Sequence, residues 1–124
     1  MQGTDDLIYH PLRGGLFESL IIAEFLKFRL NRGKESNLYF WRDKLGREID
    51  CIIEYMGWDP IPVEIKSGRT ANPDFFNEIA YWNELSGNAP DRSFVVYGGD
   101  RSQRRAAGHL VGYRDLEPII RYLE

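Results

Sequence analysis

Three side chains that could act together chemically lie in two neighbouring stretches of the sequence. Asp50 follows Arg-Glu-Ile, while Glu64 and Lys66 belong to the later run Ile-Pro-Val-Glu-Ile-Lys. Two carboxylates that meet can hold a hard divalent cation such as Mg²⁺, which prefers oxygen ligands. A lysine beside them can orient or deprotonate a metal-bound water, or stabilise charge on a phosphate. The residue types therefore suit a metal site with a neighbouring cation.

The predicted scaffold for these residues is a β-hairpin. Two short apolar runs flank the turn at Met56–Pro60, a pattern typical of two antiparallel strands. Opposing Asp50 to Glu64 centres the turn on Gly57, where a positive φ is easily tolerated. Directly opposed Cβ atoms lie about 5 Å apart, so this register would bring the two carboxylates together.

The same register predicts which side chains share a face of the sheet. Because side chains alternate along a strand, the residues expected to face the core are Ile49, Cys51, Ile53, Ile61, Val63 and Ile65. Asp50 then shares the opposite face with Glu64 and Lys66. The spacing alone is more typical of a surface hairpin with an ordinary cross-strand ion pair, which adds little stability.

A further acidic residue, Glu18, lies in the longest periodic segment, Leu16–Leu30, which predicts a helix. The apolar residues spread around most of the circumference, so we expect this helix to be largely buried. Two interpretations of Glu18 stay open. It can complement the helix dipole in the first turn, or it can point from the edge of the core at the face that carries Asp50 and Glu64.

The remaining elements complete the predicted fold. Leu38–Trp41 is rich in strand-forming residues, Asn72 and Pro73 begin a second helix, and Phe94–Tyr97 is typical of a buried strand. A strand, helix, strand connection normally places its two strands parallel in one sheet. We therefore expect one α/β domain over residues 1–124, with a central mixed sheet flanked by helices.

Composition and charge limit the partners. The formal net charge of −3 provides no overall attraction to nucleic acid. The main basic concentration comprises Arg101, Arg104 and Arg105, which we place in a polar loop, and Arg114, which follows a predicted short strand at Leu110–Tyr113. These arginines could contact phosphates, although such charge runs are often simply solvated. The single cysteine, Cys51, fits a reducing cytoplasm, and no apolar run reaches membrane-spanning length. His10 is assigned to a loop or surface position.

Motifs in a fixed order resemble known families. Asp50, then Glu64-Ile65-Lys66, preceded by a helix with Glu18, resembles the PD-(D/E)xK nuclease superfamily, whose restriction-endonuclease-like fold has an αβββαβ core. More narrowly, the chain resembles the C-terminal domain, of unknown function, of a family of prokaryotic AAA-type ATPases. The motifs that carry this second resemblance are Gly14–Glu18, Leu38–Arg42, Glu48–Asp50 and Pro62–Gly68.

The nuclease resemblance implies a role for each candidate residue. Asp50 and Glu64 would be the metal-binding acids, and the carbonyl of Ile65 a further ligand. Lys66 would be the catalytic lysine, and Glu18 the helix acid that joins the metal site in part of the superfamily. The implied reaction is hydrolysis of a DNA phosphodiester with Mg²⁺ or Mn²⁺ as cofactor.

The ATPase resemblance implies a missing partner. Members of that family carry an N-terminal nucleotide-binding module, so this chain would be a fragment or remnant of a longer ATPase. The complete set of acids and lysine favours a nuclease. The acidic net charge favours the alternative, a non-catalytic module that binds DNA or a protein partner and regulates the ATPase.

Overall fold

A computed structural model describes residues 11–124, with side chains from residue 15 onward; His10 lies outside this part of the chain. Over these residues a mixed sheet of six strands has helices on its two faces, which confirms the expected α/β fold. In chain order the elements are α1 (Pro11–Asn31), β1 (Leu38–Arg42), β2 (Glu48–Tyr55), β3 (Asp59–Lys66), a 3₁₀ turn (Pro73–Phe76), α2 (Asn77–Ser86), a second 3₁₀ turn (Pro90–Arg92), β4 (Phe94–Tyr97), β5 (Gln103–Arg105), β6 (Gly108–Gly112) and α3 (Glu117–Ile120).

The strand order across the sheet is β1-β2-β3-β4-β6-β5. Strands β1, β2 and β3 form an antiparallel meander, while β3, β4 and β6 run parallel, as the strand, helix, strand connection predicts. β5 pairs antiparallel with β6 at the far edge. The expectation of a polar loop is therefore wrong for Arg104 and Arg105, because the chain turns back after β4 and pairs with β6.

Two hydrophobic clusters cover the two faces of the sheet. On one face, buried residues of α1 such as Phe25 pack with Val63 of β3 and with Ile119 of α3. On the other, Phe76 and Trp82 pack against Val95 and its neighbours. The middle of strand β3 is thus covered on both sides, which places Glu64 at the centre of the domain.

The expectation that α1 is largely buried is wrong. Ile21, Ile22 and Phe25 are buried, but Leu16 and Leu20 are 73% and 55% exposed. A helix that packs on one face of a sheet buries only one stripe, so apolar residues elsewhere on its circumference meet solvent. The helix is kinked at Gly15, which has a φ of 76°. None of the described helices is long and apolar enough to cross a membrane.

A β-bulge in β2 corrects the predicted alternation of side chains. Tyr39 pairs with Ile52 and Trp41 pairs with Ile49, so two residues of β2, Asp50 and Cys51, lie opposite the single residue between Tyr39 and Trp41 in β1. The extra residue reverses the alternation. Ile49 therefore packs in the α2 cluster, and the prediction that it shares a face with Cys51 is wrong.

The second helix begins and ends as the sequence predicts. The Asn72 side chain accepts a hydrogen bond from the Asp74 N–H at 2.9 Å, and Pro73 occupies the first position of the 3₁₀ turn that leads into α2. α2 ends at Gly87 in a left-handed conformation, with φ of 80°. These boundaries fix the segment that connects β3 to β4.

Candidate active site

Asp50 and Glu64 meet where the pairing of β2 with β3 ends. The ladder runs from Tyr55–Asp59 to Cys51–Val63, so Asp50 and Glu64 are next in register, as predicted. Beyond Cys51 and Val63, hydrogen bonds from the main chain of each strand to a carboxylate of the other connect β2 and β3. The Asp50 N–H donates to Glu64 Oε1 at 2.8 Å, and the Ile65 N–H donates to Asp50 Oδ2 at 2.8 Å. Each carboxylate is therefore anchored through one oxygen to the opposite strand.

Burial gives Glu64 unusual electrostatics. Its side chain is only 2% exposed, because β3 is covered on both faces. Burial raises the pKa of Glu64 well above its ordinary value, and the nearby charge of Asp50 raises it further. Lys66 and the hydrogen bond from the Asp50 N–H act in the opposite direction. Ionisation of Asp50 thus opposes ionisation of Glu64.

Lys66, the last residue of β3, connects this buried pair to solvent. Its Nζ lies 3.6 Å from Glu64 Oε2, and its side chain is 35% exposed. By strand alternation Lys66 leaves the sheet on the same face as Glu64. The structure therefore brings Asp50, Glu64 and Lys66 together.

Glu18 lies close to this group but outside a shared metal cluster. It is 9% exposed on α1. Burial raises the pKa of the Cys51 thiol, and the charges of Asp50, Glu18 and Glu64 raise it further, so all three acids lie within electrostatic range of Cys51. Among the described residues, no three His, Cys, Asp or Glu side chains are grouped closely enough to hold a metal ion.

The pair of acids nevertheless has the chemistry of a hard-cation site. Each of Asp50 and Glu64 uses one oxygen to accept an N–H, which fixes its orientation while a second oxygen remains on each carboxylate. Ile65 lies between Glu64 and Lys66 and is held by Asp50 through its N–H. A divalent cation with several waters needs few protein ligands, and it would relieve the repulsion that raises the pKa of Glu64.

A cleft of about 310 Å³ lies at the carboxyl ends of the parallel strands. It contains Arg69, which the sequence analysis missed, and Arg114, which it grouped with the basic loop. Its lining residues are Arg69, Gly98, Gly99, Asp100, Tyr113 and Arg114. Arg69 follows the end of β3 and Arg114 follows the end of β6. Because carboxyl ends of parallel strands meet at one edge of the sheet, this position after a strand was the signal that could have found Arg69 and placed it with Arg114.

The three arginines predicted to bind substrate are not brought together at the site. Arg101 lies near the carboxyl end of β4, where its carbonyl accepts a hydrogen bond from the Tyr97 hydroxyl at 2.7 Å. Arg104 and Arg105 follow β5 away from that edge, since Arg105 pairs with Gly108 at the opposite end of β6. Of these three arginines, only Arg101 lies near the end of the sheet that carries Lys66.

Fold and site together define a mixed α/β domain with an acid pair and a lysine beside a bulged hairpin. The chain belongs to the DUF4143 family, described as a domain of unknown function, whose sequence profile matches residues 13–116. No curated protein and no solved structure matches the chain. The family match agrees with the expected domain of unknown function, and by itself it assigns neither a nuclease superfamily nor an activity.

Proposed function

We propose that the domain is a metal-dependent nuclease that hydrolyses phosphodiester bonds in DNA. The observation that carries this proposal is the anchored pair of Asp50 and Glu64 with the Lys66 ammonium 3.6 Å from Glu64 Oε2. Glu64 is a buried acid whose pKa is raised by its surroundings, and such groups are typical of functional sites. The order of the elements, αβββαβ, is also the order expected of the nuclease superfamily that the sequence resembles.

Each candidate residue has its own role in the proposed hydrolysis. Asp50, Glu64 and the Ile65 carbonyl would hold Mg²⁺ or Mn²⁺, which when bound supplies an activated water and neutralises charge on the phosphate. In the reaction a water oxygen bonds to phosphorus, one phosphorus–oxygen ester bond breaks, and the leaving oxygen takes a proton. Lys66 would orient the water and stabilise charge on the phosphate oxygens. Glu18 supports the site from α1.

The test compares wild type with Asp50→Asn. We expect calorimetry to detect Mg²⁺ or Mn²⁺ binding by the wild type, with cleavage of DNA that stops in EDTA. Asp50→Asn should lose both, because it removes an anionic ligand and keeps the shape. Asp91→Asn, an exposed residue before β4 at the other end of the sheet, serves as the control. Absence of metal binding by the wild type contradicts the proposal.

A second candidate function is a non-catalytic module that binds a partner protein or DNA. The observation that favours it is the exposure of Leu16 and Leu20 on α1, where the sequence predicts burial. The partner implied by the resemblance is the ATPase module of a longer protein. Metal-independent association with that module, unchanged in Asp50→Asn, would favour this function. The free buried thiol of Cys51 supports a cytoplasmic setting for either function.

A further inference from the structure

The cleft at the carboxyl ends of the parallel strands occupies a position suited to a ligand. Strands β3, β4 and β6 are parallel, so their carboxyl ends share one edge of the sheet. Lys66 at the end of β3 pairs with Tyr97 at the end of β4, and the next residue, Gly98, lines the cleft. Neighbouring strands lie about 5 Å apart, so the cleft begins one strand away from Lys66. Open α/β sheets commonly bind ligands at such an edge.

The floor of the cleft is closely packed main chain. The Gly98 N–H donates to the Gly68 carbonyl at 2.8 Å, which joins the segment after β3 to the segment after β4. A Cβ on Gly98 would lie 2.3 Å from the Ser67 carbonyl oxygen, so only glycine fits this crossing. The Tyr113 N–H donates to the Gly99 carbonyl at 3.3 Å. These contacts hold the lining in place before any ligand arrives.

The cleft walls carry more positive than negative charge. Arg114 Nε donates to the Tyr113 hydroxyl at 2.8 Å, and both residues line the cleft. Arg69 is exposed and also lines the cleft. Asp100 is the acidic residue among those that line the cleft. In the part of the chain that the structure describes, neither arginine forms an ion pair with a carboxylate, so both remain able to bind an anion.

We propose that this cleft binds a phosphate group of the nucleic-acid strand whose neighbouring phosphodiester lies at Asp50, Glu64 and Lys66. This inference rests on the proposed nuclease function. Planar guanidinium groups match phosphate oxygens in geometry and charge, and the residues that line this one small cleft include two arginines. The site gives a protein of net charge −3 a local means of attracting a polyanion.

The proposed contact is to the backbone of the strand and not to its bases. Phosphate contacts fix the register of a strand without reading its sequence. A second phosphate held beside Lys66 would therefore position the scissile bond, whichever bases flank it. Arg69 and Arg114 are therefore positioning residues, because they follow the strand ends and are not part of the acid pair.

The experiment measures binding of a fluorescent twelve-nucleotide single strand in EDTA, where cleavage cannot occur. We expect Arg69→Ala and Arg114→Ala each to weaken binding about tenfold or more, as loss of a charge-assisted contact does. Each should also reduce the slope of log affinity against log salt by about 0.7. Asp100→Asn should tighten binding, because it removes a negative charge from the cleft.

Arg32→Ala is the matched control, because Arg32 lies far from the cleft. Arg29, one helical turn before it, lines a cavity beside Met56 in the β2–β3 turn, at the other end of β3. Equal binding by the Arg69, Arg114 and Arg32 variants overturns the proposal, even if the protein cleaves DNA. So does wild type that does not bind the strand, or that releases it to micromolar inorganic phosphate. Weaker binding by the two cleft variants, with no cleavage by wild type in Mg²⁺, supports the phosphate site and overturns the nuclease function alone.

Discussion

Asp50 and Glu64 exchange hydrogen bonds with each other's strands: Glu64 Oε1 accepts from the Asp50 N–H, and Asp50 Oδ2 accepts from the Ile65 N–H, both at 2.8 Å. These bonds fill the place where the main-chain ladder between β2 and β3 stops after Cys51 and Val63. The two acids therefore connect the strands at the end of the ladder. The β-bulge that interrupts the regular alternation of side chains lies at the same place, at Asp50 and Cys51. Their charge is what makes the site sensitive to pH, cations and substitution.

We expect Glu64→Gln to raise the free energy of unfolding at pH 8, without divalent cations, by about 1–3 kcal/mol, the usual cost of a poorly compensated buried polar group. The folded-state pKa of Glu64 is raised above its ordinary value of 4.5, so the folded protein binds more protons than the unfolded chain between the two values. Stability therefore falls as pH rises through this interval. Gln keeps an oxygen to accept the Asp50 N–H.

Urea denaturation from pH 4 to pH 8 measures this effect. Below pH 4.5 both states of wild type hold the proton, so the advantage of Glu64→Gln should disappear. Glu84→Gln is the control, because Glu84 is exposed on α2 and should change stability little at any pH. A Glu64→Gln protein less stable than wild type at pH 8 would contradict the electrostatic account of the site.

Metal binding should release protons from the same group. If Asp50 and Glu64 hold a divalent cation, Glu64 must give up the proton that its raised pKa favours. Mn²⁺ affinity should then rise about tenfold per pH unit while Glu64 is protonated, and level off above its pKa. Calorimetry in two buffers of different ionisation enthalpy measures the protons released. An affinity independent of pH would mean that Glu64 is not a ligand.

The hairpin and the acid pair could be predicted because local rules decide them. The turn residues centred on Gly57 set the register, and the register placed Asp50 opposite Glu64. Gly57 indeed has a positive φ, of 84°. The second helix was equally predictable, since Asn72 and Gly87 are ordinary helix-boundary residues. In each case the signal lies within a few residues of the feature.

Features that depend on distant contacts could not be read from the pattern. The bulge at Asp50 and Cys51 is visible only in the pairing with β1, so alternation misplaced Ile49. The exposure of Leu20 depends on how much of α1 the sheet covers. The cleft joins Arg69 to Arg114, which are far apart in sequence and meet only because β3, β4 and β6 are parallel.

Gly98→Ala tests the crossing that supports both the lysine and the cleft. The new Cβ would lie 2.3 Å from the Ser67 carbonyl oxygen, so the segment after β3 must move. We expect a loss of about 1–3 kcal/mol in the free energy of unfolding, as for overpacking in a core. Gly68→Ala is the control, because its Cβ would meet only the Phe75 ring at an ordinary 3.4 Å. Equal stability of the two variants would contradict the crossing described above.

Lys66→Met separates catalysis from metal binding. Lys66 lowers the pKa of Glu64, so its removal should raise that pKa and weaken Mn²⁺ binding modestly at neutral pH. Cleavage depends on Lys66 more directly, through the orientation of water and charge on the phosphate, and should fall about 100-fold or more. Lys44→Met, in the exposed β1–β2 turn, should change neither. Calorimetry measures Mn²⁺ affinity, and single-turnover assays at saturating Mn²⁺ measure cleavage. Equal losses of affinity and cleavage rate would assign Lys66 to the metal site alone. Loss of cleavage with the metal still bound assigns it to the chemical step.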